Sequence, residues 1–291
     1  MFEDLKPGAF CRSVVLLAAG LLSTHAATTA PAAPSRSPPV AGYVLKFDDE
    51  FTAFNGSAAG TNGWMTAFPE GDRTHNAPPE AEYYSDSSVG ANPFSILNGL
   101  LQISATNSRT TGTNSVGLPY NSGLITSFKS FRMQYGYFEM SAKMPRGAGL
   151  WPAFWLLPAS GAWPPEIDVV EQIGSATTIY QTLHYVSAGI RAEKGTSVTV
   201  ADTAAGFHTY AVDWEPTTIT IYFDGRQTAS WPTPSDMHQP MYILINLAVG
   251  GAGSWPGPPD GSTMFPANMY IDYVRAYASP NSVNISGAFV Q

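Results

Sequence analysis

One acidic stretch decides the fold of this chain, and it reads Trp163-Pro164-Pro165-Glu166-Ile167-Asp168-Val169-Val170-Glu171-Gln172. The β-branched residues between the acids predict a strand, and because side chains alternate along a strand, Glu166 and Asp168 share one face. Strict alternation would bury Glu171 in the core, where an unpaired carboxylate is costly. A β-bulge at Val169–Val170 adds one residue and returns Glu171 to the acidic face. We therefore predict that all three acids line one groove.

Carboxyl groups that project together from one strand supply what retaining glycoside hydrolysis requires, a nucleophile and a protonated acid beside it. Asp168 lies between the two glutamates and can hold a proton, which splits the titrations of neighbouring acids. The alternatives are an acidic edge strand or a calcium site. The D-x-D/N-x-D/N-G spacing of a calcium loop is absent, and Val169–Val170 offers no oxygen ligand, so the sequence favours the catalytic interpretation.

The acidic stretch resembles the E-x-D-x-x-E signature of glycoside hydrolase family 16 in its bulged, laminarinase-like form. The resemblance extends over Tyr135–Glu139, Gly149–Pro158, Asn246–Gly251 and Tyr270–Tyr277, and covers roughly residues 43 to 277. Around the motif the sequence is similar to bacterial β-glucanases that depolymerise exopolysaccharides. The resemblance implies a two-sheet jelly roll of the concanavalin A type with a concave catalytic groove.

The pattern of the chain independently predicts an all-β domain, a β-sandwich, because strand-like runs recur between turn residues and no long stretch has a helical apolar period. Asp224–Gly225 is a strong two-residue hairpin signal. The predicted strands are Tyr43–Phe47, Phe94–Ala105, Gly123–Phe128, Tyr135–Met144, Trp151–Leu157, Glu166–Ile173, Thr178–Val186, Phe207–Trp214, Thr218–Phe223, Met241–Val249 and Met269–Tyr277.

Composition and the N-terminal sequence predict one large domain with a leader. The chain has 291 residues, of which 44% are hydrophobic. Arg12 followed by the apolar run 13–22 predicts a secretory signal over residues 1–26, since the run is too short for a membrane anchor. We expect a flexible Ala/Thr/Ser/Pro-rich linker at 27–41, the catalytic domain at 42–278 and a flexible tail at 279–291. The protein would be secreted or periplasmic.

Charge and cysteine content restrict the partners. The net charge is −8 and no lysine or arginine cluster occurs, which disfavours nucleic acid and anionic membranes and suits a neutral polysaccharide. Cys11, the single cysteine, lies inside the predicted signal, so the mature chain would have no thiol or disulfide chemistry. We expect a monomer.

The family resemblance implies roles for the acids. Glu166 would be the nucleophile, Glu171 the general acid and then base, and Asp168 the carboxylate that supports them. His184, on the next predicted strand, would lie beside the acids and support them, although a hydrogen-bonded core histidine is the alternative. No organic cofactor would be needed.

The resemblance also implies residues that contact the sugar or a metal. Aromatic rings stack on sugars, but a tryptophan is more often a core residue, an alternative that applies most to Trp155. Asp272 resembles a structural calcium ligand, with a solvated strand position as its alternative. The sugar-binding candidates are Trp151, Trp155, Trp255, Glu82 and Asn246, and for Glu82 a position in a polar loop is the alternative.

These observations predict a secreted, retaining endo-β-glucanase. Its substrate would be a β-1,3-1,4-glucan or a glucan-type bacterial exopolysaccharide. A β-1,3-glucanase (laminarinase), a transglycosylase and a non-catalytic carbohydrate-binding protein on the same fold remain alternatives at this point.

Overall fold

The computed structural model describes residues 37–60, 63–75, 79–89, 91–108, 117–287 and 289–290. The predicted signal at 1–26 and the linker up to residue 36 lie outside the described residues. Residues 37–41 form bends and turns without strand structure. Within the described ranges, no helix has both the length and the apolar character needed to cross a membrane.

The described residues form β-strands and two short 3-10 helices, at Ser87–Val89 and Ser235–Met237. The strands are β1 Val44–Asp49, β2 Glu82–Tyr84, β3 Phe94–Leu97, β4 Leu100–Ala105, β5 Tyr120–Ser122, β6 Leu124–Thr126, β7 Arg132–Gln134, β8 Gly136–Lys143, β9 Leu150–Pro158, β10 Glu166–Glu171, β11 Thr178–Ser187, β12 Ile190–Thr199, β13 His208–Trp214, β14 Thr218–Phe223, β15 Arg226–Pro232, β16 Met241–Val249, β17 Ala267–Ala278, β18 Val283–Ser286 and β19 Phe289–Val290.

Two large sheets face each other, as the all-β pattern predicts. The groove sheet has the order β12-β11-β10-β9-β16-β7-β18, with β6 also paired to β16. The back sheet has the order β15-β14-β13-β8-β17-β1-β19, with β3 and β4 attached through β17. A small parallel pair, β2 and β5, completes the described sheets. The acidic strand β10 is therefore an inner strand of the groove sheet.

Strand β16 explains how the groove sheet is covered on both faces. All nine of its residues are buried. Its odd-numbered residues, such as Ile243 and Ile245, belong to the core between the sheets. Its even-numbered residues, such as Tyr242 and Leu244, join a second apolar cluster on the opposite face. That second cluster forms the floor on which the site is built.

The predicted bulge is present in β10. Toward β9, Asp168 pairs with Trp155 while Val170 pairs with Phe154, so two residue steps on β10 oppose one on β9. The pairing with β11 shifts between Asp168 and Glu171 as well. Both valines of the bulge are fully buried. The extra residue brings Glu171 back to the face of the other two acids, as the cost of burying a carboxylate predicts.

Two hairpins compare differently with the sequence prediction. The Asp224–Gly225 turn between β14 and β15 is confirmed, and both residues have positive φ, as a type I′ turn requires. The predicted single strand Phe94–Ala105 is instead the β3–β4 hairpin, because Asn98–Gly99 adopts the same left-handed backbone. Strand β12 was missed, since its sequence is mostly polar and exposed.

The prediction of a flexible tail at 279–291 is wrong for its described part. β18 pairs with β7, and β19 pairs in parallel with β1. Side-chain hydrogen bonds reinforce this segment, with Ser282 Oγ donating to the Tyr135 carbonyl at 2.9 Å and Asn284 Nδ2 donating to Gln134 Oε1 at 2.8 Å. All four residues of β18 are exposed, so polar bonds hold it and no apolar pattern marks it.

We expect truncation after Ala278 to lower the melting temperature by about 4–8 °C. The lost strand pairing and side-chain hydrogen bonds, offset by regained chain entropy, should total about 2 kcal/mol. Truncation after Gly287 is the matched control, because it keeps β18 and should cost less. Calorimetry of the wild type and the two truncated chains tests this. An unchanged melting temperature after truncation at Ala278 would support a flexible tail instead.

Candidate active site

The three acids of β10 open into one cavity of about 410 Å³ on the exposed face of the groove sheet. Glu166, Asp168 and Glu171 all line it. Ile167, between the first two acids, is fully buried on the opposite face with the core. The strand therefore separates its apolar and acidic residues between the core and the cavity.

Strands β9 and β16 supply the aromatic and amide part of the cavity wall. Trp155 pairs with Asp168 across β9 and β10, and its indole Nε1 donates to Asn246 Oδ1 at 2.9 Å. Asn246 Nδ2 in turn donates to the Tyr84 hydroxyl at 2.9 Å. These bonds hold a polar amide and an indole side by side, an arrangement suited to a sugar ring with its apolar faces and hydroxyl edges.

Each glutamate accepts a hydrogen bond from a different tryptophan. Trp163 Nε1 donates to Glu166 Oε2 at 2.7 Å, and Trp151 Nε1 donates to Glu171 Oε1 at 2.9 Å. An indole can donate but cannot accept, so each bond orients one carboxylate oxygen and leaves the other for chemistry.

His184 of β11 stands beside the first two acids. It pairs with Glu166 in the strand register, and its Nε2 lies 3.2 Å from Asp168 Oδ2 and 3.9 Å from Glu166 Oε1. Asp168 Oδ2 has no hydrogen-bond donor among the described residues, so the ring nitrogen is close but poorly aligned. The structure thus places His184 beside Glu166 and Asp168, and its supporting role stays a prediction.

Burial raises the pKa of all three carboxyl groups. For Glu166 the pKa rises well above the ordinary value because of burial and the nearby Asp168, while His184 and Trp163 oppose the rise. Burial and the charge of Glu171 raise the pKa of Asp168 as well. Burial raises the pKa of Glu171 to about 7, against the hydrogen bond from Trp151.

The trio therefore retains protons at neutral pH. Asp168 is the more buried of the two strand neighbours, with 4% of its side chain exposed against 14% for Glu166, and the charge of Asp168 helps to raise the pKa of Glu166. Neighbouring acids of this kind do not all ionise together, and a pKa of about 7 lets Glu171 donate a proton. The site can present a carboxylate and a carboxylic acid together.

A metal ion is another possible occupant of such a cluster. Ligand atoms of Glu166, Asp168 and His184 lie within 4.8 Å of one another, the one grouping of this kind in the described part of the chain. Within this group, Glu166 also accepts the indole N–H of Trp163.

A loop before β2 also lines the cavity. Phe68 of this loop meets the Trp155 ring edge-on, with ring centroids 6.4 Å apart. Arg73 anchors the loop through Nη2, which lies 2.7 Å from Asp86 Oδ2. Burial alone would raise the pKa of Asp86, but hydrogen bonds, including those from Ser88, Thr66 and Arg73, lower it to about 2. The anchoring ion pair is therefore charged throughout the physiological range.

The prediction that Glu82 contacts sugar is wrong. Glu82 is fully buried, and its Oε2 accepts a hydrogen bond from the Val249 backbone N at 2.6 Å. It therefore joins β2 to the end of β16. Its neighbour Glu80, two residues earlier and on the same side of an extended chain, lines the cavity instead.

Trp255 lies at the rim and outside the cavity itself. It is 48% exposed and meets the Trp151 ring edge-on, with ring centroids 5.9 Å apart. Tyr180 packs against its other side at 4.7 Å. Trp255 can therefore extend the aromatic surface beyond Glu171.

Asp272 lies on β17 of the back sheet, away from the cavity. Ser141 Oγ donates to it at 3.4 Å. Burial and the nearby Glu50 carboxylate raise the pKa of Asp272 to about 6, although Arg275 opposes this. Two carboxylates of like charge are a suitable environment for calcium, which selects oxygen ligands. A calcium ion at this position stays a prediction.

Sequence reasoning missed several lining residues. Trp163 belongs to the acidic stretch, but its bond to Glu166 could not be read from the sequence. The loop residues carried no motif, because they reach the cavity only through the fold. The missed lining residues include Phe68, Glu70, Asp72, His75, Glu80 and Tyr242.

The family comparison agrees with this geometry. Residues 83–275 match the family described as Glycosyl hydrolases family 16. The chain belongs to glycosyl hydrolase family 16. The matched residues include the bulged strand β10, the cavity walls on β9 and β16, and His184.

Two relatives from Rhizobium meliloti (strain 1021) are similar over most of the described domain. The chain is 46% identical to an endo-1,3-1,4-beta-glycanase, ExsH, over 80% of this chain and 51% of the relative. It is 41% identical to a second one, EglC, over the same shares of the two chains. The chain thus spans about half the length of these curated relatives.

Solved structures of the family have the same fold. The laminarinase catalytic domain from Thermotoga maritima is 30% identical with a TM-score of 0.70, covering 82% of this chain and 99% of that one. A non-specific endo-beta-1,3(4)-glucanase is 30% identical with a TM-score of 0.71, covering 86% and 96%. These comparisons confirm the predicted jelly roll and the assignment to the glycoside hydrolases.

Because burial raises the pKa of Glu171, replacing this residue by the neutral glutamine of similar shape should stabilise the folded protein at high pH. The pKa of Glu171 is raised from 4.5 to about 7. Folding therefore favours the protonated form of Glu171. The contribution of this group to the free energy of unfolding is full below pH 4.5 and is lost as the pH rises through 7. Glu171→Gln removes this loss, so its melting temperature should exceed that of the wild type by about 7–14 °C at pH 8 and by little at pH 4.5.

Calorimetry at both pH values measures this difference. Glu193→Gln is the matched control, because that side chain is 75% exposed and should show no comparable gain. A Glu171→Gln advantage that is equal at the two pH values would mean that Glu171 titrates normally.

Proposed function

We propose that this protein is a retaining endo-β-glucanase. The observation that carries the proposal is the arrangement of Glu166 and Glu171 on one face of a bulged strand, each bound by an indole N–H and separated by a third carboxyl group. Two carboxyl groups of different protonation are the requirement of glycoside hydrolysis with retention. Family membership supports the same reaction class.

In the proposed mechanism the reaction takes two displacements. Glu171 protonates the departing glycosidic oxygen while Glu166 attacks the anomeric carbon and forms a glycosyl-enzyme ester. Glu171, now ionised, then takes a proton from water, which attacks the same carbon and releases Glu166. Asp168, the neighbouring carboxyl group, would hold a proton so that Glu166 reacts as the carboxylate. Family 16 glycosidases generally need no cofactor for catalysis, and none enters these steps.

The proposed substrate is mixed-linkage β-1,3-1,4-glucan or a glucan-type bacterial exopolysaccharide. The relatives described as endo-1,3-1,4-beta-glycanases support this choice. The laminarinase domain supports the alternative, a β-1,3-glucanase. The cavity wall of Trp155 and Asn246, with Trp255 at the rim, suits several sugars of an internal segment. Transglycosylation would use the same residues and differs only in the acceptor.

The non-catalytic alternative is disfavoured by the site itself. A carbohydrate-binding protein on this fold would need the aromatic wall but not a pair of carboxyl groups with raised pKa. We further propose secretion or export to the periplasm, in line with the sequence prediction for residues 1–26, and a monomeric enzyme. Calcium held by Asp272 would serve stability only, since Asp272 lies on the other sheet.

We expect Glu166→Ala and Glu171→Ala each to reduce kcat by about a thousandfold or more, because each removes one of the two reacting carboxyl groups. Azide should distinguish them. On an activated aryl β-glycoside, the Glu166 variant should form the α-azide, since azide replaces the nucleophile. The Glu171 variant should form the β-azide, since azide attacks the glycosyl-enzyme. Product NMR decides, and the opposite pairing would reverse the two roles.

Asp168→Asn should lower kcat by about tenfold and shift the acid limb of the pH profile, because it removes the titrating partner of Glu166. The amide has nearly the same size, so the fold should be kept. The profile of kcat/KM against pH on soluble β-glucan measures this. Full activity with an unchanged profile would leave Asp168 a purely structural residue.

The polymer itself tests the endo assignment. On mixed-linkage β-glucan, viscosity should fall well before reducing ends accumulate, and the first product should be the β-anomer, because two inversions retain configuration. Viscometry, reducing-end assay and early NMR spectra give these results. Parallel loss of viscosity and gain of ends, or an α-anomer, would contradict the proposal. Faster cleavage of laminarin would change only the proposed linkage preference.

A further inference from the structure

The exposed edge of the groove sheet brings a cation to the same face as the acids. β12 is the edge strand beside β11, and Arg191 on it pairs with Val186 in the register, as Glu193 pairs with His184. Since pairing residues share a face and alternate residues return to it, Arg191, Glu193 and His184 lie on the cavity face. Arg191 is thus one strand beyond His184.

Arg191 contacts the tryptophan that binds Glu166. Its guanidinium carbon lies 4.7 Å from the centre of the Trp163 ring. Trp163 Nε1 donates to Glu166 Oε2 at 2.7 Å. The His184 ring lies 6.1 Å from Trp163, tilted by 39°. A chain of contacts therefore leads from the edge strand through one indole to the proposed nucleophile.

Arg191 has no carboxylate partner among the described residues, although acids outnumber bases by 22 to 14 in the sequence. The neighbouring acid on its face, Glu193, lies instead 3.8 Å from His184 Nδ1. Ring stacking is therefore the interaction that the structure assigns to Arg191. A cation over an indole face is attractive and holds the ring in place.

Trp163 needs such support. The Trp163 side chain is 49% exposed. Trp151, by contrast, is half-buried, because it lies in the inner strand β9 and packs against Trp255. Trp163 lies in the connection before β10, outside any strand. Without a contact on its face, an exposed loop indole has other rotamers available.

We propose that Arg191 is a positioning residue for the reaction, holding Trp163 so that its indole N–H orients Glu166. The inference rests on the proposed role of Glu166 and assigns to the edge strand a part in catalysis. The titratable groups that face Glu166 are Asp168 and Glu171 of its own strand, His184 of β11 and Tyr242 of β16, so the bond from Trp163 acts against two acidic neighbours.

The test is a double-mutant cycle on soluble mixed-linkage β-glucan. Arg191→Ala should lower kcat by about threefold to tenfold with a smaller change in KM. Trp163→Phe keeps the ring but loses the N–H, and should lower kcat by about tenfold to a hundredfold. In the Trp163→Phe background, Arg191→Ala should have almost no further effect, because the bond it supports is gone.

Two further readouts separate positioning from a general loss of structure. In Arg191→Ala the acid limb of kcat/KM should move to higher pH, because the hydrogen bond from Trp163 lowers the pKa of Glu166. Arg191→Lys should restore part of kcat, since an ammonium also binds an indole face. Lys194→Ala is the matched control, because Lys194 lies on the same strand but faces the other way, toward a separate cavity with Trp231.

Each remaining outcome counts against the inference. Additive effects of the two substitutions would mean that Arg191 acts on the polymer directly and not through Trp163. An unchanged pH profile, or an equal loss in Lys194→Ala, would reduce Arg191 to a structural residue of the edge strand. If the wild type cleaves no β-glucan while binding it, the proposed function fails before the cycle begins.

Discussion

The structure depends on removing three carboxyl groups from water on a single strand. Burying Glu166, Asp168 and Glu171 together raises the pKa of each, because a charged carboxylate loses hydration and its neighbours are acids. The bulge at Val169–Val170 makes this possible, because both valines are buried in the core while Glu171 still faces the cavity. The result is a strand whose carboxyl groups hold protons at a higher pH than exposed carboxyl groups do.

The rest of the groove sheet divides the work of orienting these groups. Trp151 comes from an inner strand and binds Glu171 under cover of Trp255. Trp163 comes from a connecting loop and binds Glu166, with Arg191 against its exposed face. Both glutamates therefore accept an indole N–H, but the two indoles are held in place differently. Only the indole that binds Glu166 contacts the edge strand.

The centre of the site could be predicted from the sequence because an energetic conflict was visible there. A strand that would bury Glu171 unpaired must either bulge or pay a large desolvation cost, and the bulge is present. Strand pattern and family resemblance likewise indicated two sheets. The position of Glu82 was predicted wrongly, since a strand of three buried residues does not reveal which neighbour faces the cavity, and Glu80 does so.

Other features could not be predicted because they rest on polar backbone pairing between distant segments. β12 and β18 carry few apolar residues, so no periodicity marked either one. The contact of Arg191 with Trp163 joins residues 28 positions apart that meet only when the β11–β12 hairpin folds back along β10. Such contacts follow from sheet register, which a local pattern does not specify.

The central claim is that this strand keeps a glutamic acid protonated near neutral pH. The most direct measurement is a pH titration of side-chain carboxyl carbons in protein labelled with ¹³C-glutamate, compared with the same titration of Glu171→Gln. The account predicts one glutamate resonance with a midpoint of about 7 that is missing from the variant. If the resonance that the variant lacks titrates below about pH 5, as unperturbed carboxyl groups do, the account is contradicted.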